Sequence, residues 1–337
     1  MPSPLALALT PHIGPRRLQQ ALSTDLSVEA IAQLLGAEIA AAYARTLKED
    51  LAEQEREQAA RLGLRLIGLW EPEYPEVLQH LDSPPPVLYL RGELPHTQHN
   101  IGIVGTRKAS PWATAWTHKV ARELAEAGIG IISGLALGID SASHKGALEG
   151  GGYTLGILGS AMDRFYPPQN RALAEQMNVL SEFPLGTPPQ AGLFPRRNRI
   201  VAALSRAVLV VEAGEKSGSL ITAKFAAELG RDVLAVPGRP GDAFSLGSNR
   251  LIQDGAGLVM NTEDVLGALG VLAPRKQSLQ LEGPEAHVYR TLLELSEALP
   301  DDIAQSTGLS TSETLSVLML LELKGLARSS AGRYSPL

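Results

Sequence analysis

The sequence predicts an α/β protein built on a doubly wound, mostly parallel sheet. Between residues 100 and 270, short apolar runs rich in β-branched side chains alternate with amphipathic helical segments, which is the pattern of βαβ units. Such runs are typical of strands covered on both faces. Helical spacing dominates in residues 1–65 and again after residue 284. The apolar runs span residues 101–104, 129–132, 154–158, 179–183, 208–211, 233–236 and 258–260.

The first 65 residues predict a small all-helical domain. Ile31, Leu34, Leu35 and Ile39 recur at helical spacing. Residues 12–15, His-Ile-Gly-Pro, followed by a helical segment, have the outline of a helix–hairpin–helix, whose turn amides can hold a backbone phosphate. A plain helical bundle remains the alternative interpretation. Residues 66–99 are proline-rich and predict a connector that packs on the sheet domain at 100–270.

The C-terminal part predicts a linker followed by a winged helix. Residues 271–283 lack periodicity, and three helical segments follow at 285–295, 301–307 and 312–324. Gly325 ends the third helix, and residues 326–334 suit a hairpin centred on Gly332. We therefore assign residues 284–337 to a winged-helix domain.

Composition excludes several classes of function. The chain has 337 residues, no cysteine and a formal net charge of −6, so disulfide scaffolds, thiolate metal sites and a uniformly basic DNA packager are excluded. The first ten residues hold no Lys or Arg, unlike a signal peptide, and the longest apolar stretches are shorter than a membrane span. We expect a cytoplasmic protein without a membrane partner.

Glycine-rich turns follow several of the predicted strands. In a doubly wound sheet ligands bind where parallel strands end, and glycine lets backbone amides approach an anion. The tightness of the turn alone explains the glycine in any one of them. Taken together, however, these turns lie at the same edge of the sheet as five basic residues, which favours phosphate binding. The basic residues are Arg107, Arg197, Arg199, Lys216 and Lys224, and the predicted anion-binding turns contain Gly105, Thr106, Gly134, Gly138 and Gly159.

No motif for nucleotide chemistry or metal binding is present. The spacing around Gly102 and Gly105 does not form the dinucleotide fingerprint G-x-G-x-x-G, and no P-loop occurs. His144 follows Asp140 by four residues, a spacing that favours a helix brace over a catalytic triad. We expect no catalytic residue, no metal and no cofactor.

The segment at 193–200, Leu-Phe-Pro-Arg-Arg-Asn-Arg-Ile, places an aromatic ring beside three guanidinium groups and an amide. Aromatic stacking and arginine together suit single-stranded nucleic acid, because every unpaired base has a π-face. The alternative is that Phe194 fills the core and the arginines form surface ion pairs. The residues alone leave both interpretations open.

Several long motifs resemble the DNA-processing protein A family, also called DprA or Smf. They are VGTRKAS at 104–110, SGLALGIDSASHKGAL at 133–148, YTLGILGSAMDRFYPPQN at 153–170, FPRRNRI at 194–200, VVEAGEKSGSLITAKFA at 210–226 and GRDVLAVPG at 230–238. The resemblance covers the whole middle domain in order. It implies a Rossmann-like core that binds single-stranded DNA without sequence preference, forms a homodimer and helps load the recombinase RecA, without catalysis.

The resemblance also implies which residues contact DNA. They are Arg107, the stacking ring Phe194, Arg197, Asn198, Arg199, Ser217, Gly218, Ser219 and Lys224. Two positions depart from relatives that carry lysine: Pro168 follows the Tyr-Pro of the third motif, and Ala191 lies three residues before Phe194. Arg196 compensates with a charge where smaller residues are common, and we add Lys216 from the same basic turn.

We therefore predict a single-stranded DNA-binding recombination mediator that acts in natural transformation and in repair, with single-stranded DNA-binding protein as a further partner. The main alternative is a nucleotide phosphoribohydrolase, which shares the architecture, but the comparable turn at 213–220 lacks the paired glycines and the downstream Glu of those enzymes. A transcription regulator acting through the winged helix is a third interpretation. Against it, residues 285–337 hold four basic and seven acidic side chains, a net charge of −3.

Overall fold

The computed structural model describes residues 2–95, 99–271, 281–330 and 332–336. The chain divides into two compact units, residues 1–273 and 274–337. Most of the predicted linker at 271–283 lies outside the described residues, as do residues 96–98 of the predicted connector.

Five helices open the first unit. They are α1 (Pro4–Ala8), α2 (Pro15–Ala21), α3 (Val28–Leu35), α4 (Ala37–Lys48) and α5 (Leu51–Arg61). Proline occupies the first position of α1 and α2, where its missing N–H costs nothing. Their apolar faces enclose a cluster that includes Leu18, Ile31 and Tyr43, and this cluster also packs on Val87 and Tyr89 of the sheet region.

The sheet region follows with alternating strands and helices. Its strands are β1 (Arg65–Gly68), β2 (Val87–Arg91), β3 (Asn100–Val104), β4 (Gly130–Ser133), β5 (Thr154–Ile157), β6 (Asn178–Ser181), β7 (Ala207–Val210), β8 (Asp232–Ala235) and β9 (Gly257–Leu258). Its helices are α6 (Glu76–Gln79), α7 (Pro111–Glu126), α8 (Ile139–Glu149), α9 (Arg171–Ala174), α10 (Leu193–Ala203), α11 (Ser219–Glu228), α12 (Leu246–Gln253) and α13 (Thr262–Ala268).

The nine strands form one sheet in the order β1-β2-β6-β5-β4-β3-β7-β8-β9. The seven strands from β3 to β9 are parallel, and each corresponds to one of the predicted apolar runs. The predicted α/β class with a mostly parallel sheet is therefore confirmed. The predicted connector does more than pack on this sheet, because its strands β1 and β2 extend it by antiparallel pairing.

The strand order reverses between β3 and β7. Chain connections run from β3 through β4 and β5 to β6 on one side, and from β7 through β8 to β9 on the other. Buried side chains of α7, α8 and α13 cover one face of the sheet, and those of α6, α10 and α11 cover the other. Because helices leave the sheet in opposite directions at the reversal, a crevice opens there between the ends of β3 and β7.

The second unit is a small winged-helix fold, as the sequence predicted. Its elements are α14 (Gly283–Leu295), α15 (Pro300–Thr307), α16 (Thr311–Leu323), β10 (Ala327–Ser330) and β11 (Arg333–Pro336). The strands β10 and β11 pair as an antiparallel hairpin, and Gly325 adopts a positive φ of 68° just after α16. Val288, Leu292, Ile303, Leu318 and Leu321 are buried in its core.

Candidate functional site

A groove of about 560 Å³ lies at the reversal point of the sheet. The loops after β3, β4 and β7 contribute to it together with one face of α10, as expected for a doubly wound fold. We call it the Phe194 groove. Its lining includes Gly105, Thr106, Arg107, Lys108, Gly134, Asp140, Phe194, Arg197, Asn198, Ser217, Gly218, Ser219 and Phe244.

An arginine and an aromatic ring face each other in the Phe194 groove. The guanidinium carbon of Arg107 lies 5.1 Å from the ring centroid of Phe194, within cation–π range. Phe194 is half-buried, and its ring also contacts that of Tyr166 at a centroid distance of 5.7 Å. The ring is therefore neither fully enclosed in the core nor free. It forms a partly exposed apolar wall beside an exposed positive charge.

The loop after β3 is held in place by hydrogen bonds to Glu212, which follows β7. The amide of Thr106 donates to the carbonyl of Glu212 at 2.7 Å, and the Glu212 carboxylate accepts from the amide of Ser110 at 2.9 Å. Ser110 in turn caps α7 by accepting from the amide of Ala113. These contacts leave the side chains of Arg107 and Lys108 exposed at the groove.

Arg197 forms the floor of the Phe194 groove. Its guanidinium donates to the carbonyls of Gly134 and Ile157, and its Nε donates to Oδ1 of Asn198. Burial lowers the pKa of Arg197 to about 10, with the nearby Asp140 carboxylate opposing this change, so the side chain remains charged near neutral pH. Gly134 has no side chain that would collide with this guanidinium.

The turn after β4 carries its own anion. The carboxylate of Asp140 accepts from the amides of Gly134 at 3.1 Å and Ala136 at 3.3 Å. The amide of Gly134, which the sequence predicted to bind phosphate, therefore already donates to an internal carboxylate in this structure. Burial raises the pKa of Asp140, against the lowering influence of Arg197. Gly138 is needed for the shape of this turn. Its φ is positive, at 79°, and the absence of a side chain lets the turn pack against the backbone of Thr106.

The predicted brace between Asp140 and His144 does not form. Nδ1 of His144 lies 2.7 Å from Oγ1 of Thr154 instead, and the ring is fully buried. Burial lowers the pKa of His144 to about 3, with a smaller contribution from Arg197, so the ring is neutral near neutral pH. Both side chains hold neighbouring elements in place, and among the described residues no group of three His, Asp or Glu could hold a metal ion.

The helix start after β7 supplies the remaining wall of the Phe194 groove. Oγ of Ser217 and Oγ of Ser219 lie 2.8 Å apart, and Nδ2 of Asn198 donates to the carbonyl of Gly218 at 3.3 Å. The structure thus brings Arg107, Phe194, Arg197, Asn198 and residues 217–219 together, as the sequence analysis expected of the DNA-contact positions.

Four other predicted contacts lie outside the groove lining. Lys216 and Lys224 are exposed, and Lys224 pairs with Glu228 at 3.7 Å. Arg196 and Arg199 turn to the opposite side of α10, where both contact Glu182. Arg199 does not line this groove, because its guanidinium pairs with Glu182 on the opposite side of α10, and its contact with DNA stays a prediction. Gly159 also lies outside the lining, and its contribution is space for the Phe194 ring.

Among the groove residues that were not predicted as contacts, Lys108 adds a charge and Phe244 adds an aromatic ring. Lys108 follows Arg107 directly in the VGTRKAS motif, and that adjacency was a usable signal. Phe244 is 51% exposed and also lines the Phe194 groove. It comes from the long loop between β8 and α12, and nothing in its local sequence indicates this position.

The winged-helix unit presents a different kind of surface. Leu315, Met319 and Leu323 recur at four-residue spacing on α16 and are exposed, Leu323 by 85%. Lys324 at the end of this helix is already ion-paired, since its Nζ lies 2.5 Å from Oε2 of Glu285. A helix that reads duplex DNA carries basic or amide side chains on this face instead.

The family model described as DNA recombination-mediator protein A matches residues 65–270, and the one described as DprA winged helix domain matches residues 273–333. The chain belongs to the DNA recombination-mediator protein A family. The resemblance to DprA and Smf proteins is thereby confirmed. No helix among the described residues has the length and apolar character needed to cross a membrane.

Relatives of this family share both sequence and fold with the chain. Protein Smf of Synechocystis is 45% identical over 211 residues, which cover 60% of this chain and 53% of that protein, so the match spans about half of the relative. The X-ray structure of DNA processing protein A from Streptococcus pneumoniae matches with a TM-score of 0.66 and 32% identity, covering 79% of this chain and 93% of that one. The structure of the Helicobacter pylori protein, whose description refers to a single-stranded DNA binding mode, matches with a TM-score of 0.55 and 32% identity, covering 61% and 95%.

Proposed function

We propose that this protein binds single-stranded DNA in the Phe194 groove, without sequence preference, as a recombination mediator. The observation that carries the proposal is the guanidinium of Arg107 set 5.1 Å from the partly exposed ring of Phe194. A base stacks on an aromatic face, and its phosphate pairs with an adjacent cation, whatever the base. Lys108 and Arg197 add positive charge to the same groove.

The groove offers few groups that would distinguish one base from another. Asn198 and Arg197, which carry the hydrogen-bonding side chains suited to base edges, already donate to protein carbonyls. Affinity then comes from charge and stacking, which every nucleotide supplies. Binding of this kind suits a protein that protects exposed or incoming single strands and hands them to a recombinase.

In this proposal the protein is a cytoplasmic homodimer that helps load RecA on strands covered by single-stranded DNA-binding protein, in natural transformation and in repair. The family membership and the description of the Helicobacter pylori relative support it. We propose that it acts by binding rather than by catalysis, with no cofactor.

Binding of labelled oligo-dT, oligo-dA and mixed-sequence strands, measured by fluorescence anisotropy, tests this proposal. We expect similar affinities for all three strands and weaker binding to duplex of the same length. In parallel, incubation with nucleoside monophosphates checks for release of free base, which a phosphoribohydrolase would produce. No affinity for any single strand, or steady release of free base, contradicts the proposal.

Loading is tested with RecA and a single strand covered by single-stranded DNA-binding protein. We expect this protein to shorten the lag before RecA filaments form, and an Arg107→Ala variant to shorten it less. An unchanged lag would contradict the role as a recombination mediator but not the binding of single-stranded DNA. Light scattering at micromolar concentration tests the homodimer, which a monomer mass would exclude.

A further inference from the structure

The helix α10 presents basic side chains on two opposite faces. At about 100° per residue, Phe194, Arg197 and Asn198 fall on one side of the helix, and they line the Phe194 groove. Arg196 and Arg199 fall roughly opposite, where they line a second cleft of about 640 Å³ within the same unit. We call this second space the Arg196 cleft. Its lining includes Ile13, Pro15, Phe183, Pro184, Arg196 and Arg199.

The Arg196 cleft carries one more positive than negative charge. Oε2 of Glu182 lies 3.0 Å from Nη2 of Arg196 and 2.7 Å from Nη2 of Arg199, so two guanidinium groups share one carboxylate. The side chain of Glu182 is fully buried, whereas that of Arg196 is 48% exposed. The unbalanced charge is therefore available on the side of the cleft that Arg196 occupies.

Two buried polar atoms in this cluster have no hydrogen-bond partner among the described residues. They are Nη1 of Arg199 and Oε1 of Glu182. A buried donor or acceptor without a partner is costly, so such groups normally belong to a network that something else completes.

The walls of the Arg196 cleft suit a flat ring. Ile13, Pro15 and Pro184 are apolar, and the guanidinium of Arg196 lies 5.6 Å from the ring centroid of Phe183. A guanidinium held against an aromatic ring is a flat cation on which a base can stack, while its N–H groups bind phosphate. A volume near 640 Å³ is within the range of small-molecule sites.

We propose that the Arg196 cleft is a second nucleotide site, in which a base packs on the apolar wall and Arg196 binds the phosphate. The proposal extends the proposed function and rests on it for one of two sources of the nucleotide. Ala191 and Gly192, which precede Phe194 at the start of α10, are exposed, and in this proposal a single strand leaving the Phe194 groove crosses α10 there to reach the cleft. A free mononucleotide has the same chemistry.

Anisotropy titrations with oligo-dT of increasing length test the strand as the source. We expect Arg196→Ala to bind strands of about 4 nucleotides as the unchanged protein does, and to lose roughly tenfold affinity for strands of about 16, because only the longer strand reaches both sites. Arg196→Lys, which keeps the charge, should lose less. Arg206→Ala is the matched control, since Arg206 is exposed in the same unit but lines a different cleft.

Calorimetric titration with dTMP tests the free nucleotide as the source. Binding that Arg196→Ala abolishes and Arg206→Ala preserves supports the site even if strand length has no effect. If Arg196→Ala matches Arg206→Ala at every strand length and with dTMP, the second site is refuted. If the unchanged protein binds no oligo-dT at all, the proposed function fails instead, and the dTMP titration still decides the cleft. Thermal unfolding of each variant identifies those that fold, and Arg196→Lys replaces Arg196→Ala should the latter unfold.

Discussion

The ring of Phe194 rests directly against the backbone of Gly159. A Cβ atom added at Gly159 would lie 2.5 Å from Cδ1 of the ring, closer than any real contact allows. The ring therefore holds its position beside Arg107 only because residue 159 has no side chain. The glycine of this turn, which the sequence suggested as an anion-binding residue, contributes space for an aromatic wall.

Gly159→Ala should weaken binding of single-stranded DNA by about 1 kcal/mol, because the displaced ring loses part of its stacking contact while the net charge is unchanged. Fluorescence anisotropy with oligo-dT measures the effect. Gly267→Ala is the matched control, since Gly267 is exposed on α13, outside the groove lining, and nothing lies within 4 Å of a Cβ there. Equal affinity of the two variants would contradict the stacking role.

Phe194→Ala should cost roughly 1 to 3 kcal/mol of binding free energy, the range for a base stacked on an aromatic ring. Because the ring is only half-buried, we expect a smaller change in melting temperature than for a core phenylalanine. Trp112→Ala is the control, as Trp112 is 57% exposed on α7 and does not line the groove. A collapsed melting temperature with normal binding by the remaining folded protein would make Phe194 a packing residue only.

Arg107→Ala should weaken oligo-dT binding by roughly 1 to 3 kcal/mol, as expected for a lost charge-assisted contact. The dependence of affinity on NaCl should also become shallower by about one phosphate contact. Lys119→Ala removes an equal charge from the exposed surface of α7 and serves as the control. Affinity that stays flat across NaCl concentrations in the unchanged protein would argue against phosphate contacts altogether.

Acid should destabilise the fold through His144. Its pKa is about 3 in the folded state against 6.5 for the free side chain, so the unfolded chain binds the extra proton first. The resulting stabilisation is complete above pH 6.5 and is lost as the pH falls toward 3, at up to about 1.4 kcal/mol per pH unit. Urea unfolding between pH 7.5 and pH 5 measures this slope. His144→Gln should show a shallower slope, and identical slopes would assign the acid sensitivity to other groups.

Removal of residues 275–337 should leave most of the affinity for single-stranded DNA. The winged-helix unit has a net negative charge, and α16 exposes leucine and methionine where a DNA-reading helix carries basic side chains. Oligo-dT binding and light scattering of the shortened chain test this expectation. A loss of more than tenfold in a folded protein of unchanged oligomeric state would make the winged helix a principal DNA site.

Local sequence patterns determined the seven parallel strands, the helices between them and the winged helix, because apolar periodicity and cap residues act over a few neighbouring positions. Since parallel strands end at one edge of the sheet, those patterns also placed Arg107 and residues 217–219 near each other. The spacing within 194–199 also separates Phe194, Arg197 and Asn198 from Arg196 and Arg199, because successive residues of a helix turn by about 100°.

Only the tertiary structure decided which partner each charge meets. Arg199 pairs with Glu182, and the amide of Gly134 with Asp140, through contacts between segments whose relative position no local pattern encodes. The same holds for β1 and β2, whose antiparallel pairing beside β6 depends on residues far apart in the chain. A buried charge must find a partner, but which partner it finds depends on how strands and helices pack, and that is a property of the whole fold.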